Sequence, residues 1–365
     1  MQNIKRARTN DYKKIQKALT DNNIYSSTTS SIYNGDSLEL LKKIPDHSVS
    51  LILTDPPYHT TKKKNIIGDC FFKTDEDYIA WKDELIKEWK RVLKPNGSIY
   101  CYCSAQIASR LEVAFSKEFK ILSHIVWTKP NAPGFDGWKQ KMKKESLRQW
   151  YGHTERIIFA EPAAEGNLHR SYFANFLRET RLKCGLSGHQ LTEFTGAYGK
   201  VNHGGAVSNW ETGRNVPSRE QYQKICDAFL DTGKVKTMPH YNDLIRPFNV
   251  TSNVEFTDVW NFQTVRPYKG KHPAEKPLDM LMHAIEASTY EGDLILDCFA
   301  GSGSTVIAAL AMNRKAIGIE IDPSLCDEIA NKIEYIENKK MNLIESTDLK
   351  EVSLRKDLEQ VSLGL

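Results

Sequence analysis

The sequence predicts an α/β fold, and three observations carry that expectation. From about residue 48 to residue 160, short apolar runs rich in branched side chains alternate with helix-period segments. A second strand-helix-strand unit runs from Leu294 to Ile321. Between them, from Pro162 to Glu255, the alternation stops and short helical patterns take over, as in an insertion. At 365 residues, 40% hydrophobic and 26% charged, the chain has room for two or three domains.

In chain order, the first 31 residues are polar, lack strong periodicity and close on the loop-like Ser26–Ser31 cluster, so they are expected to form an N-terminal arm. Ser48–Thr54 is an apolar run bounded by Asp46 and by Pro56-Pro57, the pattern of a buried strand. Asp75–Val92 places Tyr78, Trp81, Leu85, Ile86, Trp89 and Val92 at helical spacing, and Pro95-Asn96-Gly97 supplies the turn after it. A strand at Ser98–Cys103, a helix at Ala105–Phe115 and strands at Ile121–Trp127 and Ile157–Ala160 follow. In the last third, Pro277–Ser288 and Thr305–Met312 are expected helices, and Leu294–Asp297 and Lys315–Ile321 expected strands. The expected division is an arm (1–31), one α/β half (32–161), an insertion (162–257), a second α/β half (258–335) and a charged, partly helical tail (336–365).

No run approaches the roughly 18 apolar residues of a membrane span, and MQNIKRARTNDYKK has no apolar leader core, so a cytoplasmic chain is expected. Cysteines at 70, 101, 103, 184, 226, 298 and 326 contain no CxxC pair, which disfavours a disulfide framework and predicts no metal centre. The net charge is only +4, but its distribution is uneven. Lys129 to His240 holds 17 Lys and Arg against 11 Asp and Glu, while the rest holds 33 against 35. The basic middle is where a polyanion would be met, although a solvated basic face would have the same composition.

Asp55-Pro56-Pro57-Tyr58 directly follows the predicted buried strand. Two prolines stiffen the backbone and remove its donors, leaving the Asp55 carboxylate and the Pro56 carbonyl as acceptors beside an aromatic face, a site suited to an amino group. Asp297-Cys298-Phe299-Ala300-Gly301-Ser302-Gly303-Ser304-Thr305 follows a strand and opens a helix. Its small residues allow close backbone approach to a ligand, and Glu320, ending the next strand, can accept from ribose hydroxyls. Together with Asn34-Gly35-Asp36-Ser37 and His272-Pro273-Ala274-Glu275-Lys276-Pro277, these segments resemble the DPPY, FxGxG, NGD and HPxxKP motifs of the amino-methyltransferases that modify nucleic acids. The catalytic motif preceding the cofactor loop resembles the β group of that family, over roughly residues 32–161 and 258–335.

The resemblance implies a Rossmann-like methyltransferase sheet with helices on both faces, a circularly permuted motif order and an inserted, mainly helical recognition domain. It implies S-adenosylmethionine as cofactor, held by Asp36, Ser37, Asp55, His272, Glu275, Lys276, Pro277, Asp297, Phe299, Ala300, Gly301, Ser302, Gly303, Ser304, Thr305, Glu320, Ile321 and Asp322. Catalysis would fall to Asp55, Pro56, Pro57 and Tyr58, with Tyr58 stacking on a base turned out of duplex DNA. Asp at the first motif position resembles the N6-adenine members more than the N4-cytosine ones. The absence of a Pro-Cys dipeptide removes the nucleophile that methylation at a ring carbon would need.

Residues 173–230 resemble the helix-turn-helix of Cro and repressor-like proteins, with Leu186-Ser187 capping its second helix and Val207–Gly213 on its recognition helix. The chain departs from that pattern by about five extra residues around Ala197–Asn202 and by Gly204-Gly205. Lys141, Lys143, Lys144, Arg148, Lys200, His203, Ser208, Asn209 and Arg214 are the expected DNA-contacting residues. The β-group resemblance also implies a homodimer and a companion restriction endonuclease. Open alternatives are an N4-cytosine methyltransferase, a DNA-binding regulator with a non-catalytic methyltransferase fold, a small helical packing domain in place of the helix-turn-helix, and methylation of RNA or of a protein glutamine.

Overall fold

The computed structural model describes residues 2–58, 72–130, 144–146, 148, 150, 152–163, 171–197, 205–250, 256–266, 272 and 274–345. Its centre is a nine-stranded sheet in the order β1-β2-β9-β8-β3-β4-β6-β5-β7. The strands are β1 (Asn23–Ser26), β2 (Ser30–Asn34), β3 (Val49–Thr54), β4 (Leu93–Cys103), β5 (Phe119–Trp127), β6 (Glu155–Pro162), β7 (Val259–Trp260), β8 (Leu294–Asp297) and β9 (Lys315–Glu320). From β2 through β9, β8 and β3 to β4 all neighbours are parallel, and β6 then runs antiparallel between β4 and β5. Strand β8, from late in the chain, lies between β9 and the early β3.

All six residues of β3 are buried, as a parallel strand covered on both faces requires. Side chains alternate: on β4, Ile99, Cys101 and Cys103 enter one core, and Tyr100 and Tyr102 the other. Helices α1 (Gln2–Ala18), α2 (Ser37–Leu41), α3 (Asp75–Val92) and α4 (Ala108–Phe115) supply the first core. On the opposite face lie α10 (Leu278–Ser288), α11 (Ser304–Ala311) and α12 (Pro323–Glu345).

Helix α3 starts where Thr74 accepts from the Asp77 N–H at 3.1 Å, with three acidic residues in its first turn and Lys90 and Arg91 in its last, as the helix dipole favours. Its buried stripe includes Lys82 in place of the expected Trp81, which is only half-buried. Pro95-Asn96-Gly97 does not form a separate turn. It lies inside β4 as a bulge, with the register shifting between Val49 opposite Leu93 and Leu51 opposite Ser98.

Two boundaries expected from the sequence are corrected. The first 31 residues are not an arm: α1 buries Tyr12 and Ile15, Leu19 just after it is buried too, the Tyr12 hydroxyl bonds Ser31 Oγ at 2.8 Å, and β1 and β2 join the sheet. Three apolar residues in a polar stretch gave too weak a period to announce this packing. The tail does not begin at 336 either, because α12 continues to Glu345 and Ile336 is buried.

Between β6 and β7, helices α5 (Tyr172–Cys184), α6 (Gly188–Thr195), α7 (Ala206–Glu211), α8 (Arg219–Asp231) and α9 (Tyr241–Leu244) enclose a core of their own around Leu177, Leu191, Trp210, Ile225 and Phe229. Ser187 and Gln190 form a reciprocal capping box at the start of α6, as Ser218 and Gln221 do for α8. Gly205 has a packing reason: a Cβ there would lie 2.2 Å from the Thr192 hydroxyl, so only glycine lets α7 begin against α6. Arg181 of α5 grips Glu211 of α7 through two hydrogen bonds, at 2.5 and 3.0 Å. The helical unit meets the sheet through Arg246 on Glu161 at 2.8 Å and Asn96 on the Asn242 carbonyl at 2.9 Å.

Candidate active site

The two motif loops leave the ends of adjacent parallel strands, the position where ligands sit in open α/β sheets. Thr54, the last residue of β3, donates to Asp297 at 3.0 Å and accepts from the Cys298 N–H at 3.3 Å, tying the two loops together. Asp297 also accepts from the Phe299 N–H at 3.1 Å, and burial pushes its carboxyl up to about 6. Its carboxylate is therefore committed to joining the loops.

After β8, residues Phe299–Gly303 form the turn into α11. Gly303 has φ +81°, and a Cβ there would lie 2.8 Å from Ile329, so this position admits glycine for two separate reasons. Ser304 and Thr305 are buried at the helix start, Ser302 bonds Ser304 at 2.7 Å, and half-buried His272 packs its ring against Gly301. Glu320 at the end of β9 accepts from the Gly301 N–H at 2.8 Å and the Asp322 N–H at 3.0 Å. Its backbone carbonyl accepts from the Gly35 N–H and from Asn34, which brings the Asn34–Ser37 turn beside it. Ser37 donates to the Cys298 carbonyl, and Asp36 caps α2. Ile321 is exposed, and Asp322 caps the start of α12 by accepting from Ser324.

At the end of β3 the Asp55-Pro56-Pro57-Tyr58 loop is held from below, where the Tyr78 hydroxyl donates to the Pro57 carbonyl at 3.0 Å. Asp55 Oδ2 is ion-paired with Lys276, while Asp55 Oδ1 is buried and has no hydrogen-bond partner among the described residues. Lys276 also donates to the Ala274 carbonyl at 3.2 Å and lies 3.7 Å from Glu155. Glu155 accepts from the Tyr58 hydroxyl at 3.2 Å and pairs with Lys129. The Tyr58 hydroxyl also lies near enough to Asp55 to favour its charge, although its hydrogen bond runs to Glu155. Burial pushes the Asp55 carboxyl up against the pull of Lys276; Glu155 is also desolvated, yet Lys276 and Lys129 hold it below the usual carboxylate range.

Sequence motifs placed Lys276 with the cofactor; the structure puts its ammonium on Asp55. Glu155 and Lys129 were missed altogether. Neither belongs to a motif, and only strand pairing brings Trp127 of β5 opposite Glu155 of β6. Lys82 was missed too. Fully buried behind Phe299, its ammonium has no hydrogen-bond partner among the described residues, faces the Trp81 ring at 4.6 Å and is pushed down to about 8 by desolvation. Glu275 and Pro277 are buried on either side of Lys276.

Residues 49–332 match the profile of the DNA methylase family. The chain belongs to that family. The methylase is 31% identical over 302 residues to the DNA adenine methyltransferase YhdJ of Escherichia coli K12, an alignment that covers 82% of this chain and 80% of that one. It is 26% identical over 331 residues to the type II methyltransferase M2.DpnII of Streptococcus pneumoniae, covering 86% and 93%. In fold, the methylase is similar to the cytosine-N4-specific PvuII DNA methyltransferase, with a TM-score of 0.52, 16% identity, and coverage of 93% of this chain and 95% of that one.

Of the residues expected to touch DNA, Ser208, Arg214 and Arg148 are exposed and Asn209 is half-exposed. Lys141, Lys143, Lys200 and His203 lie outside the described residues, as does the side chain of Lys144. Among the described residues no helix is long and apolar enough to cross a membrane.

Proposed function

We propose that this DNA methylase transfers a methyl group from S-adenosylmethionine to the N6 amino group of adenine in duplex DNA. The observation that carries the reading is Asp55 Oδ1, a buried acceptor without a partner among the described residues, beside Tyr58 and one strand from the glycine-containing loop. A buried acceptor left open is costly unless a donor arrives, and an exocyclic amino group is such a donor. The loop residues fit the cofactor: Phe299–Ser304 would hold its amino-acid end, with Glu320 and Asp36 toward the ribose and adenine. When bound there, S-adenosylmethionine supplies an electrophilic methyl group with a neutral thioether as leaving group.

An adenine amino nitrogen is a weak nucleophile because its lone pair is delocalised into the ring. Asp55 Oδ1 and the Pro56 carbonyl accept its two N–H groups, localise the lone pair and aim it along the transfer line. Tyr58 stacks on the extruded base, which pays part of the cost of leaving the duplex. The proton leaves after the nitrogen is methylated, to the Asp55 carboxylate or to water, so Asp55 need not be a strong base.

Helices α5 to α8 are, in this reading, a helix-turn-helix that helps hold the DNA, with Ser208, Asn209 and Arg214 turned toward it; the Ser187 capping box supports the assignment. The late position of β8 in the chain supports the permuted β-group order. Type II names among the relatives support a companion endonuclease, and light scattering on the purified chain tests the homodimer. The deciding experiment incubates the protein with labelled S-adenosylmethionine and unmethylated DNA, then digests to nucleosides. Label in N6-methyldeoxyadenosine is expected. Label in N4-methyldeoxycytidine would move the target, and no label in any nucleoside, with DNA still bound, would leave a non-catalytic DNA-binding regulator.

A further inference from the structure

Glu155 opens β6, the strand wedged antiparallel between β4 and β5. Three donors from three different segments converge on its carboxylate: Lys129 just past β5 on one oxygen, and on the other Tyr58 at 3.2 Å and Lys276 at 3.7 Å. Lys276 is shared with Asp55. Lys129 is fixed in turn, with its ammonium 4.9 Å from the Trp127 ring centre and its backbone at φ +49°. Two carboxylates and two ammoniums thus form one neutral, largely buried cluster, in which Glu155 is the member that accepts from the Tyr58 hydroxyl and meets both cations.

We propose that Glu155 is a positioning residue for methyl transfer: it orients the Tyr58 ring and, by dividing Lys276 between two carboxylates, keeps Asp55 an effective acceptor for the target amino group. This rests on the reading of Asp55 and Tyr58 given above. A carboxylate paired with a cation it does not share holds its charge toward that cation; one that shares it keeps more charge on its free oxygen, here Oδ1. Lys129 supplies the balancing charge that lets Glu155 stay ionised beside Asp55.

The groups facing Asp55 are Lys276 from the segment before α10, Glu155 from β6, Tyr58 from its own loop, Asp297 from β8, Lys82 from α3, and Cys101, Tyr102 and Cys103 from β4. Among them Glu155 pushes the Asp55 carboxyl up and Lys276 pulls it down. Glu155→Gln removes the upward push and frees Lys276 for Asp55, so protonation of Asp55 moves to lower pH. Lys129→Met has the opposite sign, because Glu155 then draws harder on Lys276.

The test is the single-turnover rate of labelled methyl transfer to DNA across pH 5 to 9 for the wild type, Glu155→Gln, Lys129→Met and Tyr58→Phe, beside equilibrium binding of labelled S-adenosylmethionine. Glu155→Gln is expected to slow transfer at neutral pH by about tenfold or more and to move the acid-side midpoint down by roughly one pH unit. Lys129→Met should move that midpoint up. Tyr58→Phe, which loses the hydroxyl held by Glu155, should slow transfer and move the midpoint up, because that hydroxyl also favours the charge on Asp55. Cofactor affinity of Glu155→Gln should stay within about twofold of the wild type, as expected for a group that does not touch the cofactor. Midpoints that stay put in both charge variants overturn the proposal, even if the rates fall. If Glu155→Gln does not fold, Lys129→Met alone decides by the sign of its shift. A wild type that transfers no methyl group at any pH would instead remove the methyltransferase reading itself.

Discussion

Around the sheet, side chains as distant in sequence as Asp55 and Lys276, separated by 221 positions, meet in one ion-paired cluster, whereas the helical unit between β6 and β7 closes its core from buried residues between Phe173 and Ile245. The first arrangement exists only when both halves of the chain have assembled the sheet. The second is local, with short contacts, capped helices and an ion pair that joins two of its helices, Arg181 with Glu211. Damage to the cluster should therefore abolish chemistry and leave the helical unit folded, and damage to the helical unit should unfold it and leave the cluster assembled.

The largest expected effect is at Asp55. Asp55→Ala should lower the methyl-transfer rate by about a thousandfold, since it removes the oriented acceptor, while DNA affinity measured by filter binding is retained. A variant that transfers at the wild-type rate would break the mechanism. Next in size is Trp210, buried at the centre of the helical core. Trp210→Ala should destabilise the helical unit by roughly 3–5 kcal/mol. Calorimetry should then show an early transition for the helical unit and an unchanged one for the sheet. A single transition shifted as a whole would mean that the two regions are one cooperative unit.

Asp297 sharpens the comparison through pH. Its folded-state pKa, about 6, lies above that of an exposed aspartate, so the stability it contributes is fully present below the unfolded value, near 4, and is lost as pH rises through about 6. Relative to Asp297→Asn, the wild type should gain up to about 3 kcal/mol as pH falls across that window. Parallel denaturation curves for the two proteins from pH 4 to 7 would contradict this. The smallest effect is at the exposed Arg214. Arg214→Ala should weaken DNA binding only a few-fold and reduce the salt slope by about one; an unchanged slope would remove it from the phosphate contacts.

Much of the sheet was legible because strand β3, helix α3 and the β8-α11-β9 unit carry strong periodicity and sharp turn residues. The N-terminal helix was not, since Tyr12, Ile15 and Leu19 are too sparse to reveal a packed face. The motif loops could be placed from the sequence because a proline pair ends a buried strand and small residues allow a tight turn from strand into helix. Lys82 was illegible, because a lysine within an apolar stripe gives no sign in sequence that aromatic rings will enclose its charge.

By itself the sequence determined the alternating α/β order, the places of the two motif loops and the run of short helices that interrupts the alternation, because periodicity, turn chemistry and local spacing act over a few residues. Only the tertiary structure decided that Lys276 pairs with Asp55, that Glu155 and Lys129 join them, and that Asp297 is spent on holding two loops together. Those contacts depend on which strands become neighbours and at what register, and electrostatic interactions between residues far apart in the chain take effect only once burial has lowered the dielectric around them.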